Sequence, residues 1–257
     1  MADAPDPPRT SRDEAVGRQK MLMQRAFEDA YSPLSIVRED AFLRVALQVD
    51  QGLAQGAPTS AAVLEALREQ HGAVVSAAAD ALAADAPEHP THRDVTEPEL
   101  VAVLAVLQIA CLYDPGTQRA ACDRGVLSLL LRRLPGGSPA LACACFDTLM
   151  SIQHGQPAAF ALLVRERGIE QVCEVLRRGS DRVRAHAARF LNLLLTHLAP
   201  ALRGPSTEED IVLAAQGVIG VLGREASAML HRRVDLADVQ AEAKLAQLSN
   251  ALQFFMG

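Results

Sequence analysis

The sequence predicts an all-helical chain built from stacked short repeats, and three observations predict it. About half of the 257 residues are apolar, but Ala, Leu and Val carry most of that load; aromatics are few, Trp is absent, and Ala and Leu are strong helix formers. Where the apolar pattern is clean it recurs at helical spacing rather than by strand-like alternation. A stretch around Gly125 also returns around Gly168, forty-three residues on. Such a length can bury a core either as one extended repeat domain or as two small globular ones.

Residues 1–17 are rich in Pro and Asp and lack periodicity, so they read as a disordered tail. Residues 18–84 read as an N-terminal helical cap. Within it, Ser32-Pro33 offers a cap and a first-turn proline, followed by a helix carrying Ile36, Val37, Phe42, Val45, Leu47 and Val49 that stops near Gly52 and Gly56. A third helix is expected from Thr59 to Ala84. Residues 85–96 read as a linker, because Pro87 and Pro90 each remove a donor and restrict the preceding residue. His89 and His92 within it, beside Glu88 and Asp94, read as solvated side chains rather than metal ligands.

The remainder, 97–257, is expected to hold the repeats and a C-terminal helical cap. Thr96-Glu97-Pro98-Glu99 has the form of a capping box, in which the Thr96 hydroxyl and the Glu99 carboxylate satisfy each other's free amides. Leu100, Val103, Leu104, Leu107 and Cys111 then make one apolar stripe. The run Cys122 to Arg133 parallels Arg165 to Arg178 with Gly125 set on Gly168, and each glycine is followed by a short amphipathic helix, a turn and a longer helix. A period near 43 and this helix order predict an armadillo/HEAT-like helical repeat solenoid. Glycine would permit the sharp turn between the first two helices, since it takes φ > 0 without steric cost. Ser206-Thr207-Glu208-Glu209 reads as a second capping box, followed by a unit interrupted by Gly217, Gly220 and Gly223.

The sequence carries no recognisable catalytic or ligand-binding motif. Phosphate loops need a Gly-rich turn ending in Lys, and the lysines are only Lys20 and Lys244, neither in that setting. The five cysteines show no CxxC spacing and read as small core residues, so no disulfide framework, metal site or cofactor is expected. No catalytic motif is found, and the chain reads as a non-enzyme. No apolar run approaches the roughly 18–20 residues of a membrane span, and the start lacks a signal-peptide pattern, which predicts a soluble, cytoplasmic protein. Charge is uneven: residues 119–203 hold twelve Arg and six acids, the rest thirteen basic and twenty-five acidic residues. With no Tyr or Trp in the basic segment to stack bases, an acidic protein surface is a better partner for it than nucleic acid.

Solenoids bind along the ladder made by the longest helix of each unit. On that helix in the second repeat, Arg182, His186 and Arg189 fall at i, i+4 and i+7 and share a face. The run Ala187 to Leu193 resembles the armadillo third helix, in which an inward Asn bonds an extended peptide, and this marks Asn192. The expected partner-binding set is therefore Arg182, His186, Arg189 and Asn192.

The segment from Glu99 to Arg119, with its Leu107-Gln108 helix end, the Pro115 turn and the later Arg119, resembles the start of the conserved region in the cell-division-control protein fourteen family, the non-phosphatase component of the septation initiation network. The likeness runs over roughly residues 97–200. It implies a non-catalytic regulatory subunit or adaptor of a Ste20-type protein kinase in cytokinesis, localised to spindle poles. A structural scaffold of a ciliary or other microtubule-based assembly, with a cytoskeletal partner, would show the same periodicity.

Overall fold

The computed structural model describes residues 9–54, 57–84, 94–154 and 156–201, and these form helices without a strand. In chain order they are α1 (Arg9–Asp29), α2 (Ser35–Ala54), α3 (Ala57–Glu69), α4 (His71–Ala83), α5 (Glu97–Tyr113), α6 (Pro115–Asp123), α7 (Val126–Arg133), α8 (Pro139–Gln153), α9 (Pro157–Arg165), α10 (Gly168–Arg178) and α11 (Asp181–Ala201). The chain divides into two compact units, Met1–Leu129 and Leu130–Gly257, with the boundary inside α7. The 85–96 segment is therefore not where the units part: α2 and α4 before it pack against α5 after it, all within the first unit. The expected C-terminal cap, with its capping box and three glycines, lies outside the described residues, as do His89 and His92.

In the first unit, α1 starts at Arg9, so residues 9–17 are helical rather than part of a disordered tail. The reason is local: the tail's prolines end at Pro8, and Arg9, Arg12, Glu14 and Ala15 favour helix. The Ser32 hydroxyl accepts from the Leu34 amide (3.2 Å), and α2 begins at Ser35 and runs past Gly52 to Ala54. The single helix expected over Thr59–Ala84 is broken at Gln70, whose φ of −98° and ψ of 9° end the α-helical path. Its two pieces bury separate sets, Val63 and Leu67 on α3, Val74, Ala78 and Leu82 on α4.

Helix α5 is the centre of this unit. The whole expected stripe of Leu100, Val103, Leu104, Leu107 and Cys111 is buried, and Ala102, Val106 and Ala110 widen it. Each aliphatic side chain removed from water this way contributes about 1.5–3 kcal/mol. The capping box is visible in its Thr96 half. The Glu99 amide donates to Thr96 Oγ1 (3.3 Å), and the Glu99 carboxylate is buried. It meets Arg38 of α2, with Nε to Oε1 at 2.6 Å and Nη2 to Oε2 at 2.9 Å, and Ser35 Oγ donates to Oε2 as well. Arg38 Nη1 donates to the Ser32 and Pro33 carbonyls (2.8 Å each), and Nη2 to the Asp94 carbonyl (2.7 Å). All five guanidinium donors are thereby satisfied, which is what allows Arg38 and Glu99 to be fully buried.

The repeat is real, and its register is 42 residues rather than 43. Pro115 to Pro157, Val126 to Gly168 and Pro139 to Asp181 are each 42 apart, the starts of α6 and α9, α7 and α10, α8 and α11. Burial repeats the same interval: Leu141, Cys145, Thr148, Leu149 and Ile152 on α8 match Val183, Ala187, Phe190, Leu191 and Leu194 on α11. Gly125 therefore corresponds to Arg167, and both hold positive φ, 70° and 55°. Gly168 is a glycine for another reason. A Cβ there would lie 2.4 Å from Leu163 Cδ1 and 2.9 Å from Leu131 Cδ1, so this is a close approach within the second unit and not the turn residue.

Candidate functional site

The face carrying the expected residues belongs to the second unit, where α8 packs against α11. Ser138 starts α8 by accepting from the Leu141 amide (3.3 Å), with Pro139 in the first turn. The Phe146 and Phe190 rings meet in the core at 5.9 Å between centroids, tilted by 50°. Against this fixed pair, the outward positions of α11 are presented in a row.

Arg182 and Arg189 are exposed and seven residues apart on α11. His186, between them, leans toward α8, with Nδ1 3.0 Å from Asp147 Oδ1 and its side chain 16% exposed. Arg182 lies near the Cys143 thiol, one turn earlier on α8, and its charge pulls that thiol's pKa down. The two helices are thus tied along this edge by His186 with Asp147. Arg189 makes no ion pair among the described residues. Asn192 lies on α11, but its side chain is outside the described residues.

The stripe is therefore not uniform. Arg182 and Arg189 reach solvent, while His186 is half-committed to a carboxylate. Asp147 has no signal in the sequence: at 42 residues it is level with Arg189, and only the packing of α8 on α11 brings it to His186.

The thiols of this unit are all shifted upward. Burial pushes Cys143 up, Arg182 pulls it back and Asp147 adds to the rise, leaving it above the usual thiol value. Burial raises Cys145 to about 12 and Cys173 to about 11. Protonated thiols are poor nucleophiles and poor metal ligands. Among the described residues no group of three His, Cys, Asp or Glu side chains is placed to hold a metal. A cavity of about 370 Å³ between the α7–α8 and α10–α11 turns is lined by Leu134, Ala142, Val175 and Val183, and its Glu174 and Arg178 are paired with each other at 2.6 Å. No described helix is long and apolar enough to cross a membrane.

No family model and no curated protein matches the chain. Solved structures do match it. An engineered protein superimposes with a TM-score of 0.61 at 14% identity, over 91% of this chain and 97% of that one. A designed armadillo repeat protein gives a TM-score of 0.56 at 13% identity, over 89% and 98% of the two chains. The fold is an armadillo-like helical solenoid. A further designed armadillo repeat protein, solved in complex with the peptide (KR)4, gives 0.55 at 15% identity over 89% and 98%. At these identities the likeness concerns the armadillo fold alone, and the likeness of Glu99 to Arg119 to a septation family has no family match behind it.

Proposed function

We propose that the chain is a non-catalytic binding subunit whose second unit takes an extended, acidic segment of a partner protein along α11. The observation that carries this is the pair of exposed guanidiniums, Arg182 and Arg189, on a helix held rigid against α8 by the Asp147–His186 contact. Two exposed arginines about 10 Å apart along a helix suit carboxylates spaced along an extended chain, since each guanidinium fork can take one bidentately. The armadillo neighbour solved with (KR)4 holds a basic peptide. The described residues of this chain's second unit carry nine arginines against five acids, so a peptide of the opposite sign fits here. Asn192, one turn beyond, is assigned to the backbone of that segment.

The test is a pull-down and an anisotropy titration with an acidic peptide, comparing the intact chain with Arg189→Glu/Asn192→Ala and with Arg182→Glu. Each charge reversal is expected to weaken binding by about tenfold, as for a desolvated charge contact worth on the order of 1–2 kcal/mol, with helicity unchanged. Equal affinity in the reversed variants would sink the assignment. The resemblance in the α5–α6 region adds a finer reading, an adaptor of a Ste20-type kinase in cytokinesis signalling. Stoichiometric recovery of such a kinase without tubulin supports it, and recovery of tubulin without a kinase supports a scaffold of a microtubule-based assembly instead.

A further inference from the structure

We propose that the outward face of α2, in the first unit, docks a cationic amphipathic helix of a partner protein. Helix α2 is packed by α1, α3 and α5 on its other sides. Its remaining side presents Ile36, Leu43 and Leu47 at i, i+7 and i+11, which are 75%, 52% and 55% exposed. A helix that simply faced water would carry polar residues there. α10 in the second unit does so, showing Glu170, Gln171, Glu174, Arg177 and Arg178 at its less buried positions. An aligned aliphatic row about 16 Å long, three helical turns, is the imprint expected for the apolar face of another helix.

The charge around the row selects the partner. Glu39 and Asp50 lie on the same side of α2 and enter no ion pair among the described residues. Both arginines of α2 are consumed within the unit, Arg38 by Glu99 and Arg44 by Asp29 (2.6 Å) and Asp40 (2.8 Å). The described residues of the first unit hold ten basic and fifteen acidic side chains, a balance of −5. Among the described residues no cation pairs with Glu39 or Asp50, so a docking helix that carries Lys or Arg beside its aliphatic face complements this side of α2. This surface belongs to the first unit and is opposite in sign to the α11 face of the second.

A labelled fourteen-residue peptide of Leu and Lys, leucines on one face, is the probe, titrated by fluorescence anisotropy into the full chain. Saturable binding is expected. Leu43→Gln/Leu47→Gln should weaken it by about tenfold or more through lost apolar burial, and Glu39→Gln/Asp50→Asn by about threefold, as for screened surface charges. Either of two results overturns the proposal: affinity unchanged in both double variants, or a Leu/Glu peptide of the same pattern binding as tightly. Sedimentation and vesicle binding complete the test. If Leu43→Gln/Leu47→Gln converts a dimer of the chain to monomer without affecting the peptide, the occupant is a second copy. If it abolishes binding to lipid vesicles instead, the occupant is a membrane surface, and either outcome overturns the helix assignment. Because Leu43 and Leu47 face solvent, the thermal melt should not move; a fall in the melt with no change in the charge variant also counts against docking.

Discussion

In the first unit α2 lies against α5, and in the second α8 lies against α11, long helix on long helix in the same architectural role. The contents of the two contacts differ. Leu141 and Val183 are buried at one register position of α8 and α11, and the matching position of α5 is Glu99, buried just as deeply and paired with Arg38. The second pair is joined instead by apolar packing and the Phe146–Phe190 ring contact, with its polar rung, Asp147 and His186, kept at the rim. The outer faces differ too, aliphatic and acidic on α2, basic on α11. One backbone plan thus tolerates an ion pair or a leucine at the same core position, provided every polar atom of the ion pair finds a partner.

The largest expected effect tests that proviso. Arg38→Ala leaves Glu99 charged and buried without a counter-ion and should destabilise the first unit by about 3–5 kcal/mol. The double variant Arg38→Met/Glu99→Leu gives this contact the chemistry of the second. It should recover much of the loss but not all, because the carbonyls of Ser32, Pro33 and Asp94 lose their donor. Urea unfolding followed by far-UV dichroism measures both, and a double variant as unstable as Arg38→Ala would show that the helix contact depends on the cage itself.

A smaller effect separates the two glycines that the sequence set in one register. Gly125 is needed for its positive φ, so Gly125→Asn, which tolerates the left-handed region, should cost well under the ~1 kcal/mol of Gly125→Ala. Gly168 is needed for space. There Asn and Ala should both cost about 1–3 kcal/mol, because any Cβ meets Leu163 and Leu131. Thermal melts of the four variants decide the matter, and an Asn rescue at 168 would break the 42-residue register.

That register marks the limit of what the sequence discloses. Periodicity revealed helices and repeats, because burial of Leu100, Val103, Leu104 and Leu107 follows directly from a 3.6-residue pattern. The glycine match misled because two glycines 43 residues apart, one residue off the 42-residue register, serve unrelated ends, one a torsion and the other a steric gap. Glu99 holds a second role that local spacing does not disclose: it lies three residues after Thr96 as a capping box requires, and its carboxylate also pairs with Arg38, sixty-one residues away. On the candidate face, Arg182 and Arg189 were legible from helical spacing. Asp147 was not, since its tie to His186 spans thirty-nine residues and depends on how α8 and α11 pack.

The smallest effect lies at matching helix starts. Asp114 opens α6 by accepting from the Gly116 amide (3.1 Å) and the Thr117 amide (2.9 Å), whereas Gln156, 42 residues on, opens α9 without a side-chain cap bond to the helix. Asp114→Ala should cost about 1 kcal/mol, and Gln156→Asp should return a comparable or smaller gain, since a carboxylate at this position satisfies free amides and faces the positive helix end. The two are distinguishable by acid. Burial raises the Asp114 carboxyl, but the Thr117 hydroxyl, the two amides and Arg68 outweigh it, and its folded value lies below the ordinary one. Its stabilisation is accordingly complete above the ordinary carboxyl range and is lost as pH falls through the depressed folded value. The stability gap between the intact chain and Asp114→Ala should therefore narrow on acidification from pH 6 toward about pH 3, and the gap created by Gln156→Asp should close over a similar window. A gap that stays constant with pH would mean that Asp114 acts through the shape of the turn rather than through its charge.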